Sequence, residues 1–72
     1  MAGVCSSDQK TRWPELVGTK KQFAVHTIEK ENPNVHAQVV PPGFYIPPDI
    51  RCWRVLVWIN EHDIVTRIPI VG

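Results

Sequence analysis

The sequence predicts an α+β domain: one amphipathic helix, a few short strands, and a long loop that belongs to neither. Three observations point there. Apolar residues recur at spacings of three and four between Thr19 and Glu31, as one helix face requires. Apolar and polar residues alternate at 35–39 and again at 53–60, the period of a strand with one buried face. Between them, residues 41–52 read PPGFYIPPDIRC and hold four of the seven prolines. Each proline fixes its own φ and pushes its predecessor toward extended geometry, so this stretch is neither helix nor central strand.

At 72 residues the chain is a single domain, spanning 1–72, near the lower size at which a hydrophobic core suffices unaided. A hydrophobic fraction of 43% is ordinary for a globular chain, and a net charge of +1 sets up no long-range field for nucleic acid or membrane. Neither is expected as a partner, and no apolar run approaches a membrane span. The first residues lack the basic start and apolar stretch of a signal peptide, so the expectation is a cytosolic protein or one released from a precursor.

In chain order, residues 1–11 are polar and glycine- and serine-containing, a loosely ordered arm anchored, if anywhere, at Cys5. Trp13 and Leu16 are large enough to anchor a core, and Gly18 ends the turn after them. The helix then runs from Thr19, its expected N-cap, to Glu31, with Phe23, Ala24, Val25 and Ile28 on its apolar face. Lys20, Lys21, Glu29, Lys30 and Glu31 form the solvated face. Asn32-Pro33 stops the helix, because proline disfavours helical geometry in the residue before it.

Val35, Ala37 and Val39 alternate with His36 and Gln38 in the first strand. The second, residues 53–60, sends Val55, Val57 and Ile59 one way and Arg54, Leu56 and Trp58 the other. If the valines meet the helix, Arg54 looks toward the loop. Glu61-His62-Asp63 makes a turn, and residues 64–70 return as a third strand ending at Pro69, a position tolerated at a sheet edge.

The loop is the unusual element. A dozen residues without regular structure are uncommon in a compact chain and tend to be functional. This one displays Phe44, Tyr45, Ile46 and Ile50. Two arrangements fit: a stiffened segment held out toward a partner, or side chains folded back to cap the core. The cysteines are equally open. Cys5 and Cys52, if paired, close most of the chain and contribute about 3–4 kcal/mol in the chain-entropy model; reduced thiols are the alternative in a cytosol.

No catalytic constellation is visible. Ser6 and Ser7 lie in the arm without a nucleophile-elbow sequence around them. His26, His36 and His62 have no ligand spacing to one another or to the cysteines, which argues against zinc. No glycine-rich phosphate loop exists, and Lys20-Lys21 with Arg51 and Arg54 falls far short of a basic stripe. A binding protein with no cofactor and no metal is expected, not an enzyme.

Trp13-Pro14-Glu15-Leu16-Val17-Gly18, the stretch Asn32-Pro33-Asn34-Val35-His36-Ala37, Pro-x-Gly at 41–43, Asp49-x-Arg51-Cys52-x-Arg54-Val55 and the closing Ile68-Pro69-Ile70-Val71-Gly72 together resemble the potato inhibitor I family of serine protease inhibitors, the group of eglin and the barley chymotrypsin inhibitors. The resemblance covers nearly the whole chain. It implies one helix packed on a small mixed sheet whose first two strands are parallel, with a long exposed binding loop at 41–52 connecting them, as a parallel pair requires. It also implies a monomer, a Cys5–Cys52 disulfide as in plant members with a single bridge, and a place in plant defence and the response to wounding.

The implied mechanism is substrate-like binding of a protease to the loop residues Gly43, Phe44, Tyr45, Ile46, Pro47, Pro48, Asp49, Ile50 and Arg51, with the reactive bond at Pro48-Asp49. The resemblance gives Asp49 and Arg54 the role of joining the loop to the sheet, a carboxylate meeting a guanidinium. This chain departs from the family pattern at four positions: Pro47 replaces a threonine, Pro48 holds the specificity position, Leu56 replaces a second supporting arginine, and Trp53 stands where a small polar residue is common. Losing one charge-assisted hydrogen bond costs about 1.5–3 kcal/mol; two well-fitted prolines restore about 0.4–1 kcal/mol each. The expected targets are subtilisin-, chymotrypsin- or elastase-like serine proteases, with Tyr45 or Ile46 engaged in a shifted register, and trypsin only weakly. The alternative reading is a non-inhibitory interaction module on the same scaffold, using Phe44, Tyr45 and Trp53, with Trp53 alternatively lying flat over Arg54 as packing.

Overall fold

A computed structural model of the protein describes residues 9–46 and 49–72. Helix α1 spans Lys21–Glu31, strand β1 His36–Val40 and strand β2 Arg54–Trp58, preceded by one 3-10 turn at Pro14–Leu16. β1 and β2 form a two-stranded parallel sheet in the register His36 to Arg54 through Val40 to Trp58. Most parallel pairs are joined through a helix. Here the connection is the proline-rich loop, which is why the loop projects from one end of the sheet.

The helix packs on one sheet face. Ala24 and Ile28 are fully buried against Ala37, Val55 and Val57, with Val25 and Val39 partly buried beside them. Burying a side chain the size of Ile28 stabilises the fold by roughly 1.5–3 kcal/mol. The strand parity read from the sequence holds: Val55, Val57 and Ile59 are buried in the core, while Leu56 and Trp58 on the other face are half-covered. Trp13 and Leu16 complete the core. The Trp13 indole Nε1–H donates to Glu31 Oε1 at 2.8 Å, so the buried ring keeps its polar atom satisfied at the end of α1.

Four expectations are corrected. Thr19 does not cap the helix: its hydroxyl donates to Leu16 O at 2.6 Å, closing the turn before it. Lys20 stands at the cap position without a side-chain capping bond, and the Lys21 amide donates to Asp63 O at 2.9 Å, so a loop carbonyl meets the first orphan N–H. Phe23 lies off the buried stripe, 58% exposed. Glu29 and Glu31 are not simply solvated: Glu29 Oε2 accepts the edge-strand amide of Ala37 at 3.0 Å, and Glu31 takes the indole.

The third strand is the fourth correction. In place of a continuous strand over 64–70, the chain makes isolated antiparallel bridges, Ile59 to Val65 and Lys20 to Ile64 at one end, Arg12 to Ile70 and, one residue beyond, Val55 to Val71 at the other. Pro69 lacks the N–H that a continuous ladder needs, and its carbonyl instead accepts from Trp13 N at 3.0 Å. The segment between is pinned by the Arg67 guanidinium over the Trp58 ring, 4.3 Å from its centroid.

The turn expected at 61–63 is present and is organised by Asn60. Its Oδ1 accepts from His62 N and Ile64 N, while Asp63 adopts φ 62°, a left-handed conformation that aspartate tolerates. Residues 1–8 of the expected arm lie outside the described residues. The remainder of the arm is tied down: Asn32 Nδ2 donates to Lys10 O at 3.1 Å and Val71 N to Thr11 O at 2.9 Å.

Candidate functional site

β1 ends at Val40, and the chain turns out of the sheet at Pro41-Pro42-Gly43-Phe44, where Phe44 N donates to Pro41 O at 3.4 Å. Proline second and a glycine at φ 84° third are the chemistry of a type II turn, which L side chains oppose at the third position. The turn delivers Phe44 and Tyr45 to solvent, 65% and 80% exposed, with Ile46 half-buried. Pro47 and Pro48, including the expected reactive bond's first residue, lie outside the described residues. Asp49, Ile50 and Arg51 are again exposed. On both sides of the prolines, the loop therefore stands out from the body instead of capping it.

The chain re-enters through a turn in which Arg54 N donates to Arg51 O at 3.0 Å, and His36 N donates to Trp53 O at 2.7 Å, fastening the loop's end to the start of β1. Beneath it lies Arg54, only 7% exposed although it begins a strand on the face away from the helix. Its guanidinium spans two segments: Nη2 donates to Asp49 O at 2.8 Å and Nε to Gly72 O at 3.0 Å. Gly72 N in turn donates to Arg54 O at 2.8 Å. A planar fork with donors in fixed directions can hold two carbonyls at once, which a lysine cannot.

The expected pairing of Asp49 with Arg54 is therefore present in a different form. The strong bond goes to the Asp49 main chain; its carboxylate stands 3.7 Å from Arg54 Nη2 and accepts instead from Arg51 Nε at 2.8 Å. Trp53 does not lie over Arg54 but faces Arg51, with 5.8 Å between guanidinium carbon and ring centroid. Two participants were missed. Arg51 was readable as a partner, since Asp49-x-Arg51 in extended chain places both side chains on one side. Gly72 was not, because a main-chain oxygen leaves no trace in residue identity.

Position 56, with leucine, offers no side-chain donor, and Arg54 is the side chain that reaches the loop's main chain from the sheet, at Asp49 O. No buried side-chain nitrogen or oxygen among them lacks a partner. No three His, Cys, Asp or Glu side chains among them cluster closely enough to hold a metal ion. Cys5, Ser6 and Ser7 lie outside the described residues; Cys52 is exposed and is not a free thiol.

Comparison with known proteins places this helix-and-sheet architecture in one family. The model of the potato inhibitor I family matches residues 4–72. A proteinase inhibitor from Linum usitatissimum is 48% identical over 60 residues, covering 83% of this chain and 87% of its own. The subtilisin inhibitor CLSI-I of Canavalia lineata is 42% identical, covering 92% and 100%. The crystal structure of bitter gourd trypsin inhibitor superposes with a TM-score of 0.87 at 43% identity, covering 90% and 96%. With its helix-on-parallel-sheet body and a match over almost its whole length, the chain belongs to the potato inhibitor I family, whose members are protease inhibitors and not enzymes.

Proposed function

We propose that the chain inhibits serine proteases by presenting residues 43–51 as a substrate-like strand, with Pro48-Asp49 as the bond addressed by the enzyme. The observation that carries this reading is the Arg54 brace: exposed side chains on the loop, and beneath it one buried guanidinium bonded both to the loop and to the tail. Holding the loop in advance spares the ordering cost that a flexible peptide meets on binding. It also keeps the two sides of a cut bond together, so that the bond re-forms more readily than the fragments leave.

A disulfide between Cys5 and Cys52 belongs to the same proposal. Cys52 sits between Arg51 and Trp53, its thiol is not free, and the sequence holds one other cysteine. Such a bridge tethers the C-terminal side of the loop to the opposite end of the chain.

The target preference comes from the side chains. Relatives are named as inhibitors of subtilisin and of trypsin, but the trypsin specificity pocket reads a long cation against its buried aspartate, and Pro48 supplies none. Subtilisin-, chymotrypsin- or elastase-like enzymes are the better matches. Titrating the purified protein against trypsin, chymotrypsin, elastase and subtilisin tests this: inhibition of one of the latter three with little effect on trypsin is expected. Failure to inhibit any of them removes the proposal. That outcome favours the second reading, an interaction module using Phe44, Tyr45 and Trp53, which draws on the unusual exposure of those three rings.

A further inference from the structure

We infer that Trp53 is a positioning residue for the loop, holding the Arg51 guanidinium against the Asp49 carboxylate and thereby supplying side-chain bracing that leucine at position 56 cannot. The inference rests on the inhibitory reading of the loop.

Residue 49 is reached by two separate routes. Arg54 takes the main-chain oxygen, and with Nε committed to Gly72 O its nearest approach to the Asp49 carboxylate is 3.7 Å. The carboxylate's close partner is Arg51 at 2.8 Å. Both side chains of that pair are about half exposed, and an exposed pair formed by a long, free arginine contributes little, because ordering the side chain offsets the attraction. Arg51 must be held by something else for the pair to matter. The turn closed by Arg54 N to Arg51 O brings the Trp53 ring within 5.8 Å of the guanidinium carbon, inside the range of a cation–π contact, and tryptophan is the strongest partner for one.

Trp53 is itself fixed. Its carbonyl accepts from His36 N at 2.7 Å, so its backbone is fastened to the first residue of β1. The contacts therefore run from the sheet through Trp53 and Arg51 to the Asp49 side chain, next to the bond that the protease addresses. A small polar residue at position 53 has no ring face and breaks this sequence of contacts at its second link.

The test uses Trp53→Ala and Trp53→Phe, each alone and with Arg51→Ala. In the free protein, the 15N order parameter of Arg51 Nε is expected to fall in Trp53→Ala and to be largely kept in Trp53→Phe. Against subtilisin, Trp53→Ala is expected to weaken inhibition about twofold to fivefold, Trp53→Phe less, and Trp53→Ala to have no added effect once Arg51 is alanine. Equal weakening in both backgrounds makes Trp53 a direct protease contact or a general stabiliser and overturns the inference. So does an Arg51 order parameter that Trp53→Ala leaves unchanged. If the parent protein inhibits nothing, the functional reading fails, while the order parameter and the rate at which subtilisin cuts the loop in parent and variant still decide the role of Trp53.

Discussion

Replacing Arg54 with methionine removes the guanidinium while keeping a side chain of similar reach in its buried position. Two charge-assisted hydrogen bonds disappear, one at 2.8 Å to Asp49 O and one at 3.0 Å to Gly72 O. Each is worth about 1.5–3 kcal/mol, and they act on different quantities. The bond to Asp49 holds the loop, so its loss is expected to weaken inhibition roughly tenfold to 150-fold. The bond to Gly72 holds the tail that bridges β2 at Val55, so its loss lowers global stability, by about 6 °C or more in melting temperature for a domain of this size. Arg54→Lys separates the two, since an ammonium can reach one oxygen but not span both; it is expected to keep one readout near the parent value and to drop the other to that of the methionine variant. Inhibition constants against subtilisin and thermal melts measure them. A methionine variant that melts lower but inhibits as tightly as the parent refutes the assignment of Arg54 to the loop.

Pro48→Lys is expected to create trypsin inhibition, measured by titration with a chromogenic substrate; a variant that trypsin simply degrades shows that the loop lacks the rigidity assigned to it. Alkylation of the native protein is expected to add no mass, and alkylation after reduction to add two adducts with a stability loss of about 4 kcal/mol; two adducts without reductant contradict the Cys5–Cys52 bridge. Lys10 holds the Glu15 carboxyl below the usual carboxylate range, chiefly through a side-chain hydrogen bond, and Glu15 holds the Lys10 ammonium above its ordinary value. The native state thus binds the Glu15 proton less readily than the unfolded chain. This stabilisation is present above the ordinary glutamate value and is lost as pH falls through the depressed one; the Lys10 contribution is lost as pH rises through its raised one. Glu15→Gln should flatten both limbs of the melting temperature against pH, and unchanged limbs exclude the pair as a contributor.

Much of the body was legible because it rests on periodicity. The alternation at 53–60 named the buried valines, and the same parity turned Arg54 toward the loop, where it lies. The proline run marked the loop because proline restricts φ wherever it stands. What escaped depended on tertiary partners. Thr19 has the right side chain for a cap, yet Leu16 O competes for its hydroxyl. Phe23 fits the apolar spacing in number, but Ala24 and Ile28 define the stripe that faces the sheet. Residues 64–70 alternate like a strand, and only the pairing of both ends with different partners shows that Pro69 divides them. In the site, the family resemblance brought Asp49 and Arg54 together without showing that the guanidinium takes the main-chain oxygen and leaves the carboxylate to Arg51.

Mapping the bond that subtilisin cuts after prolonged incubation at equal concentrations tests the loop's role most directly. Slow appearance of a single cut between Pro48 and Asp49, with both fragments still associated and the enzyme still inhibited, is the predicted result. Rapid cutting at several loop positions with return of full protease activity contradicts it.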